Sequence, residues 1–261
     1  MPLDLIQAVI LGAVQGLAEW LPISSKSQVV LVAGALGIAP EEALSYALFM
    51  HIGTLLAALV YFRREIARMI TGSGLGVQRN YLVLSTGFTG LIGLPLFLLF
   101  RKSFDFSNGA LFVALIGVGL VATGLILLWS RGTAGVRREG EAGLKDAALV
   151  GMAQGLSVLP GVSRSGTTTA ALLWRGFSQE DALRLSFMMS IPTVAAAEVG
   201  FSLIEGLPSV GLTEACVMLA VAFIAGIASI SALMAVARRI NFGMFCIALG
   251  LLALIPFALG L

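Results

Sequence analysis

The chain is 261 residues long, 58% hydrophobic and only 11% charged, with a formal net charge of +2 and a mean hydropathy of +1.00. A water-soluble domain carries roughly 25% charged residues, so this composition cannot cover a water-facing surface and most of the chain must be solvated by lipid. The net charge is too small to suggest nucleic-acid binding, and no nucleic-acid partner is expected. Cys216 and Cys246, far apart in apolar stretches, lack the spacing of a metal or redox motif.

In chain order, the opening segment MPLDLIQAVILGAVQGLAEW has no basic leader region and places Asp4 where one would need Lys or Arg, so no cleaved signal is expected. Residues 5–36 are apolar but interrupted by Glu19, Pro22, Ser24, Ser25, Lys26, Ser27 and Gln28. Crossing a bilayer core of about 30 Å takes about 20 helical residues. Neither arm of this segment is that long, and it reads as a helix, a bend and a second helix: a re-entrant hairpin. Such backbone is tolerated at membrane depth only when it is buried in protein or lines a wet cavity.

Three predicted spans follow, at 44–62, 81–100 and 110–129, the first closed by Arg63-Arg64 and the second by Arg101-Lys102. A second broken segment, 144–174, is interrupted by Gln154, Pro160, Ser163, Arg164, Ser165 and Thr167 to Thr169. Three more spans are expected at 183–201, 213–236 and 242–259, with Arg238-Arg239 after the fifth.

The two broken segments match each other. Gln15-Gly16-Leu17 pairs with Gln154-Gly155-Leu156, Leu21-Pro22 with Leu159-Pro160, and Ser25-Lys26-Ser27 with Ser163-Arg164-Ser165. Met50-His51-Ile52-Gly53-Thr54 parallels Met189-Ser190-Ile191-Pro192-Thr193, keeping an offset of about 139 residues. The expectation is an all-α polytopic membrane protein forming a single domain over 1–261, built as an inverted-topology repeat with six transmembrane helices and two re-entrant helical hairpins. The first repeat covers 1–135 with its hairpin at about 5–36, and the second covers 140–261 with its hairpin at about 144–175. Three spans per repeat force the second copy upside down. One side then receives Arg63, Arg64, Arg68, Arg79, Arg131, Arg137, Arg138, Lys145, Arg175, Arg184, Arg238 and Arg239, the other only Arg101 and Lys102. The positive-inside rule makes the first side cytoplasmic, which puts both termini outside and brings the hairpins together near the midplane, where inverted repeats place their polar sites.

Glu19, Lys26 and Arg164 lie in or beside the bends, and an ionisable group at the bilayer centre costs about 2.5–3.5 kcal/mol on insertion scales. A mutual ion pair locking the hairpins would offset that cost and predict little else. The bends also supply Ser24, Ser25, Ser27, Ser163, Ser165, Thr167, Thr168, Thr169, Gln15, Gln28 and Gln154. So many hydroxyls beside a guanidinium, an ammonium and one acid suit a phosphate better than a lock. Ser-Arg-Ser-Gly-Thr-Thr gives a guanidinium fork and a glycine, Gly166, that opens a helix N-terminus toward an anion.

The segments QGLAEWLPISSKSQ and LPGVSRSGTT resemble the two signature motifs of the undecaprenyl-diphosphate phosphatase family, the bacitracin-resistance proteins. The likeness extends over the whole chain in length, duplication and number of apolar segments. It implies that Gln15 and Glu19 hold the acidic-motif positions, with Glu19 (and Gln15) binding a divalent cation, Mg²⁺ or Ca²⁺, or Glu19 handling a proton. It implies Ser25 as nucleophile, with Ser163, Arg164 and Thr168 on the diphosphate. Ser24, Lys26, Ser27, Gln154, Ser165, Gly166 and Thr167 complete the expected substrate contacts. Two departures stand out. Gln15 is the family's permitted variant of a leading acid and removes one anionic ligand. Gln28 stands where the family carries a His after the serine pair, and Gln cannot serve as a general base near neutral pH. The sole histidine, His51, matches Ser190 of the second repeat. It reads either as a structural hydrogen-bonder in an apolar helix or as a partial replacement for the missing imidazole. Glu198, about two turns beyond Ser190, reads either as solvated near the membrane surface or as functional, and Glu41, Glu42, Glu139, Glu141, Glu180 and Asp181 as solvated charges.

The implied activity is hydrolysis of a polyprenyl diphosphate to the lipid monophosphate and inorganic phosphate, at the outer face of the plasma membrane. The partners expected are that lipid, the surrounding bilayer and room for a homodimer. The competing reading is a lipid-phosphate flippase or anion transporter that uses the same site without reacting.

Overall fold

The computed structural model describes residues 3–72, 76–103, 109–131, 135–159, 161–206 and 208–236 and, beyond them, residues 244, 247, 248, 250, 251 and 254. Among these the chain forms ten α-helices and no strand: α1 (Leu5–Ala18), α2 (Ser25–Ala35), α3 (Pro40–Tyr61), α4 (Arg63–Ile70), α5 (Gly76–Ser103), α6 (Gly109–Arg131), α7 (Leu144–Gly155), α8 (Arg164–Trp174), α9 (Gln179–Glu205) and α10 (Leu212–Val236). Helices α3, α5, α6, α9 and α10 are long and apolar enough to cross a membrane, and the protein is a polytopic membrane protein. The expected span at 242–259 falls largely outside the described residues, although Gly250 and Leu254 lie against α6 at Gly117. Arg131, Arg238, Arg239, Pro160 and Cys246, which entered the sequence reading, fall wholly or in their side chains outside the described residues.

The spanning helices outrun the apolar stretches because polar residues that hydropathy ignores continue them through their first turns. Helix α3 begins at Pro40, where a missing N–H costs nothing, and carries Glu41 and Glu42 in its first turn. Helix α9 begins with Glu180 and Asp181 in its first turn. Arg63-Arg64 does not simply end the first span. It opens α4, a short helix with Met69 buried and Glu65 paired to Arg184 at 2.5 Å.

The short helix pairs dock on different partners. Helix α1 lies along α10, where a Cβ on Gly16 would stand 2.6 Å from the Ala222 carbonyl oxygen, and the Ser229 hydroxyl donates to the Leu17 carbonyl at 2.9 Å. Helix α7 lies along α5, where a Cβ on Gly155 would stand 2.8 Å from Ile92 Cβ, and the Thr89 hydroxyl donates to the Gly151 carbonyl at 3.0 Å. Small residues let helix backbones approach this closely. Trp20 is 1% exposed and meets Phe187 edge-on at 5.2 Å, in a core shared by Phe62 and Leu183. Trp129 and Trp174, 5.1 Å apart, keep much of their surface outward.

A rim of ion pairs ties the loop before α7 to its neighbours. Asp146 accepts from Arg137 at 2.8 Å and from Arg175 at 2.6 Å, while the Arg137 guanidinium sits 4.2 Å from the Phe177 ring centroid. Burial works against a charge on Asp146, yet hydrogen bonds from Arg137, the Gly143 N–H and Arg175 hold its carboxyl down at about 2. Asp181, expected to be a solvated charge, is instead buried and accepts from the Glu139 N–H at 3.2 Å.

Candidate active site

Two bends supply the polar groups. In the first, Glu19 is the C-cap of α1, its backbone N–H donating to the Gln15 carbonyl. Gln15 and Glu19 share a helix face, and Gln15 Nε2 donates to Glu19 Oε2 at 2.9 Å. The chain re-enters helix at Ser25 through Ser24, whose φ of 58° is the only positive value on a non-glycine among the described residues. Holding a serine there costs about 1–3 kcal/mol. The Ser24 side chain gives no cap to α2 and meets Ser27 Oγ at 2.8 Å instead. In the second bend Gly161 takes the positive φ, and Ser163 caps α8 by accepting from the Gly166 N–H at 3.2 Å.

Each bend sends a cation to the other. Arg164 donates from Nη2 to Glu19 Oε1 at 2.7 Å, with its guanidinium 5.7 Å from the Trp20 ring centroid. Lys26 Nζ donates to the Ser157 carbonyl at 3.3 Å, and the Ser165 hydroxyl donates to the Leu21 carbonyl at 2.8 Å. Around Glu19 a chain of contacts extends further. The Ser25 hydroxyl donates to Oε2 at 2.5 Å, His51 Nε2 lies 3.2 Å from the same oxygen, and His51 Nδ1 lies 3.3 Å from Glu198 Oε1.

These groups line one cavity of about 950 Å³. Its polar end is formed by Glu19, Ser24, Ser25, Lys26, Ser27, His51, Gln154, Ser163, Arg164, Ser165 and Glu198. The remainder is largely apolar, with Leu44 and Leu48 of α3, Leu94, Phe97 and Phe100 of α5, and Val194 and Ala197 of α9. Glu41 and Glu42 also lie on its wall.

Several expected site residues stand elsewhere. Gln28 turns back on its own bend, donating from Nε2 to the Ile23 carbonyl at 3.1 Å, and is absent from the cavity wall. Gln15 faces Glu19 as a donor, and its Oε1 is buried without a hydrogen-bond partner. The Thr167 and Thr168 hydroxyls return to the Ser163 and Arg164 carbonyls at 3.0 and 2.8 Å, and Gly166 packs beneath, against Thr123. Thr168 also meets Ser186 Oγ at 2.6 Å, and Arg164 Nη1 donates to the Ser186 carbonyl at 3.4 Å, so this pair steadies the arginine from behind. Gln154 reaches the cavity wall while donating to the hydroxyls of Thr89 and Thr193 at 2.9 and 2.8 Å. Thr89, Thr193, Ser157 and Ser186 carry no motif and were not anticipated, since only the fold brings them here.

A buried serine hydroxyl on a carboxylate, flanked by guanidinium and ammonium at the head of an apolar cavity, suits an anionic headgroup carrying an apolar tail. Residues 8–255 match the family described as Bacitracin resistance protein BacA, and the chain belongs to that family. Proteins named undecaprenyl-diphosphatase resemble it over nearly their whole length. That of Methanothrix thermoacetophila is 44% identical, covering 97% of this chain and 96% of its own. That of Methanococcoides burtonii is 39% identical, covering 97% and 98%, and that of Haloarcula marismortui 38%, covering 94% of each.

Proposed function

We propose that this chain is an integral membrane phosphatase that converts undecaprenyl diphosphate, or a polyprenyl diphosphate like it, to the lipid monophosphate and inorganic phosphate. The observation that carries the mechanism is Ser25 Oγ donating at 2.5 Å to a Glu19 carboxylate held by Arg164 at 2.7 Å. Ser25 Oγ attacks the terminal phosphorus as its proton passes to Glu19, and the bond from that phosphorus to the bridging oxygen breaks, releasing the lipid monophosphate. Water then attacks the phosphoserine, both its protons staying with the released phosphate, while Glu19 returns its proton to the departing Ser25 oxygen. Arg164 and Lys26 face the phosphate charge inside a cavity with largely apolar walls, where such stabilisation is usually the largest contribution. The uncapped first turn of α2 offers backbone N–H groups to the same anion.

The residues fit a Mg²⁺ or Ca²⁺ only as an ion shared with the substrate. Among the described residues no group of three or more His, Cys, Asp and Glu side chains could hold one, and both Glu19 oxygens already have protein partners. Glu19 would supply one carboxylate ligand and the diphosphate most of the others, and the ion would add charge neutralisation.

The proposed topology is six spans in two inverted repeats, with termini and cavity mouth on the outer side. It is supported by the matched docking of α1 on α10 and α7 on α5 through Gly16 and Gly155, by the reciprocal cations of the two bends, and by the basic rim around Arg137 and Arg175. Phosphate release from a long-chain prenyl diphosphate by purified protein in detergent tests the activity, with and without Mg²⁺. Release by the wild type, lost in Glu19→Ala and Arg164→Ala that remain folded, is the expected result. A folded wild type that releases nothing overturns the reading and leaves a carrier of lipid phosphates.

A further inference from the structure

Glu198 has no place in the mechanism above, yet it stands in α9 among apolar residues and lines the cavity. In the duplication it faces no counterpart acid, for the offset that pairs Met50 with Met189 places Leu59 opposite it. A carboxylate at that depth costs about 2.5–3.5 kcal/mol unless it is paired. Its partner is the only histidine of the chain: Glu198 Oε1 lies 3.3 Å from His51 Nδ1, with both side chains nearly buried. The other ring nitrogen of His51 lies 3.2 Å from Glu19 Oε2, the oxygen that receives the Ser25 hydroxyl.

We infer that Glu198 is a positioning residue for the phosphatase reaction, holding His51 through Nδ1 so that Nε2 stays on the Glu19 carboxylate while the Ser25 proton moves. The inference rests on the phosphatase reading. Carboxylates on both sides call for an N–H on each ring nitrogen, which fixes the ring against a flip about its own axis. A flipped ring would turn a carbon toward Glu19 and leave that oxygen with Ser25 and Gln15 alone. The arrangement follows the general logic of a base steadied by a third group. Here three elements contribute, α1, α3 and α9, so no single motif contains it. Gln28, in the motif position of the family's His, points away and takes no part in it.

A single histidine makes the test clean, because ¹⁵N-imidazole labelling reports on His51 alone. Wild type, Glu198→Gln and Glu19→Gln are compared in detergent, alongside phosphate release from a long-chain prenyl diphosphate. Glu198→Gln is expected to move the Nδ1 resonance strongly and Nε2 little, with Glu19→Gln doing the reverse. It is also expected to lower kcat roughly 10- to 100-fold, the range for groups that orient a working residue, with KM unchanged. In a His51→Gln background the same change is expected to alter kcat less than about two-fold, because residues acting as one unit are not additive. An unmoved Nδ1 resonance, effects that multiply in the double variant, or a raised KM with unchanged kcat would overturn the proposal. Should Glu198→Gln not fold, the wild-type Nδ1 shift decides: an unpaired ring nitrogen refutes it. A wild type that releases no phosphate sinks the phosphatase reading, and the positioning role falls with it, while the nitrogen shifts separately judge the contact.

Discussion

The two bends contain the same serine doing different work. Ser25 and Ser163 match in the duplication, and each stands where a short helix begins. Ser163 spends its oxygen on the Gly166 N–H, as a helix cap ordinarily does. Ser25 sits one position further into its helix and donates to Glu19. The shift comes from the residue before it: Ser24 takes a left-handed turn that the second bend gives to Gly161. The acid differs as well, since the position matching Glu19 is Val158. A reactive hydroxyl thus arises by releasing a serine from capping and placing a carboxylate across the bend from it. The second bend keeps its cap and contributes an arginine to its neighbour.

Breaking the first bend should have the largest effect. Ser25→Ala is expected to reduce kcat by about 10³-fold or more, with the protein folded and lipid still bound, because among the described residues Ser25 is the hydroxyl that donates to Glu19. Single-turnover assays with excess enzyme would show whether any release survives. Retention of even a tenth of wild-type turnover would remove Ser25 from the chemistry and leave it orienting a water.

Enlarging the docking glycines tests whether the bends depend on their partners equally. Gly16→Leu and Gly155→Leu should each lower stability by about 1–3 kcal/mol or more, since even a Cβ would collide with Ala222 or Ile92. Thermal unfolding in detergent reads this, and a difference between the two shows which bend is held more tightly.

Acid titration separates the rim from the site. The Asp146 carboxyl sits at about 2 in the fold, below its ordinary 3.8. A depressed value means its stabilisation is complete above about pH 4 and is lost as the pH falls through about 2. Wild type should therefore lose Tm between pH 4 and 2 more steeply than Asp146→Asn. Parallel curves would show that Asp146 contributes nothing through its charge.

The smallest effect is expected at the capping serine. Ser163→Ala removes a helix cap and should cost about 1 kcal/mol, leaving measurable turnover, in contrast to its matching serine. A loss as severe as that of Ser25→Ala would mean that Ser163 touches the diphosphate.

Much of this was legible in residue order. The bends at 5–36 and 144–175, five of the spans, and the meeting of Glu19, Ser25, Lys26 and Arg164 follow from polar residues interrupting apolar runs. What failed to show were contacts between elements distant in sequence. Helix α4 was hidden because paired arginines read as an end, and only Arg184 of α9 explains why Glu65 continues the helix. The Gln28 side chain holds the place of a site group in the motif, but the first turn of α2 aims it at the Ile23 carbonyl. Glu198 and His51 stand far apart in sequence, and neither lies in a motif that suggests the other. Thr167 and Thr168 belong to a hydroxyl-rich run, yet helical geometry hands their protons to the preceding turn.

The docking of α1 on α10 also bears on how the protein is made. Ser229 and Leu17, bonded across that seam, are 212 residues apart in the chain. At a synthesis rate of about 5–20 residues per second, the first helix waits roughly 10–40 seconds for its partner to leave the ribosome. Until then Glu19 and Ser25 lack the wall that seats them, and Arg164 arrives only in the second half of translation. A nascent chain stopped before α10 would carry the first motif in the membrane and still lack the seam that seats it.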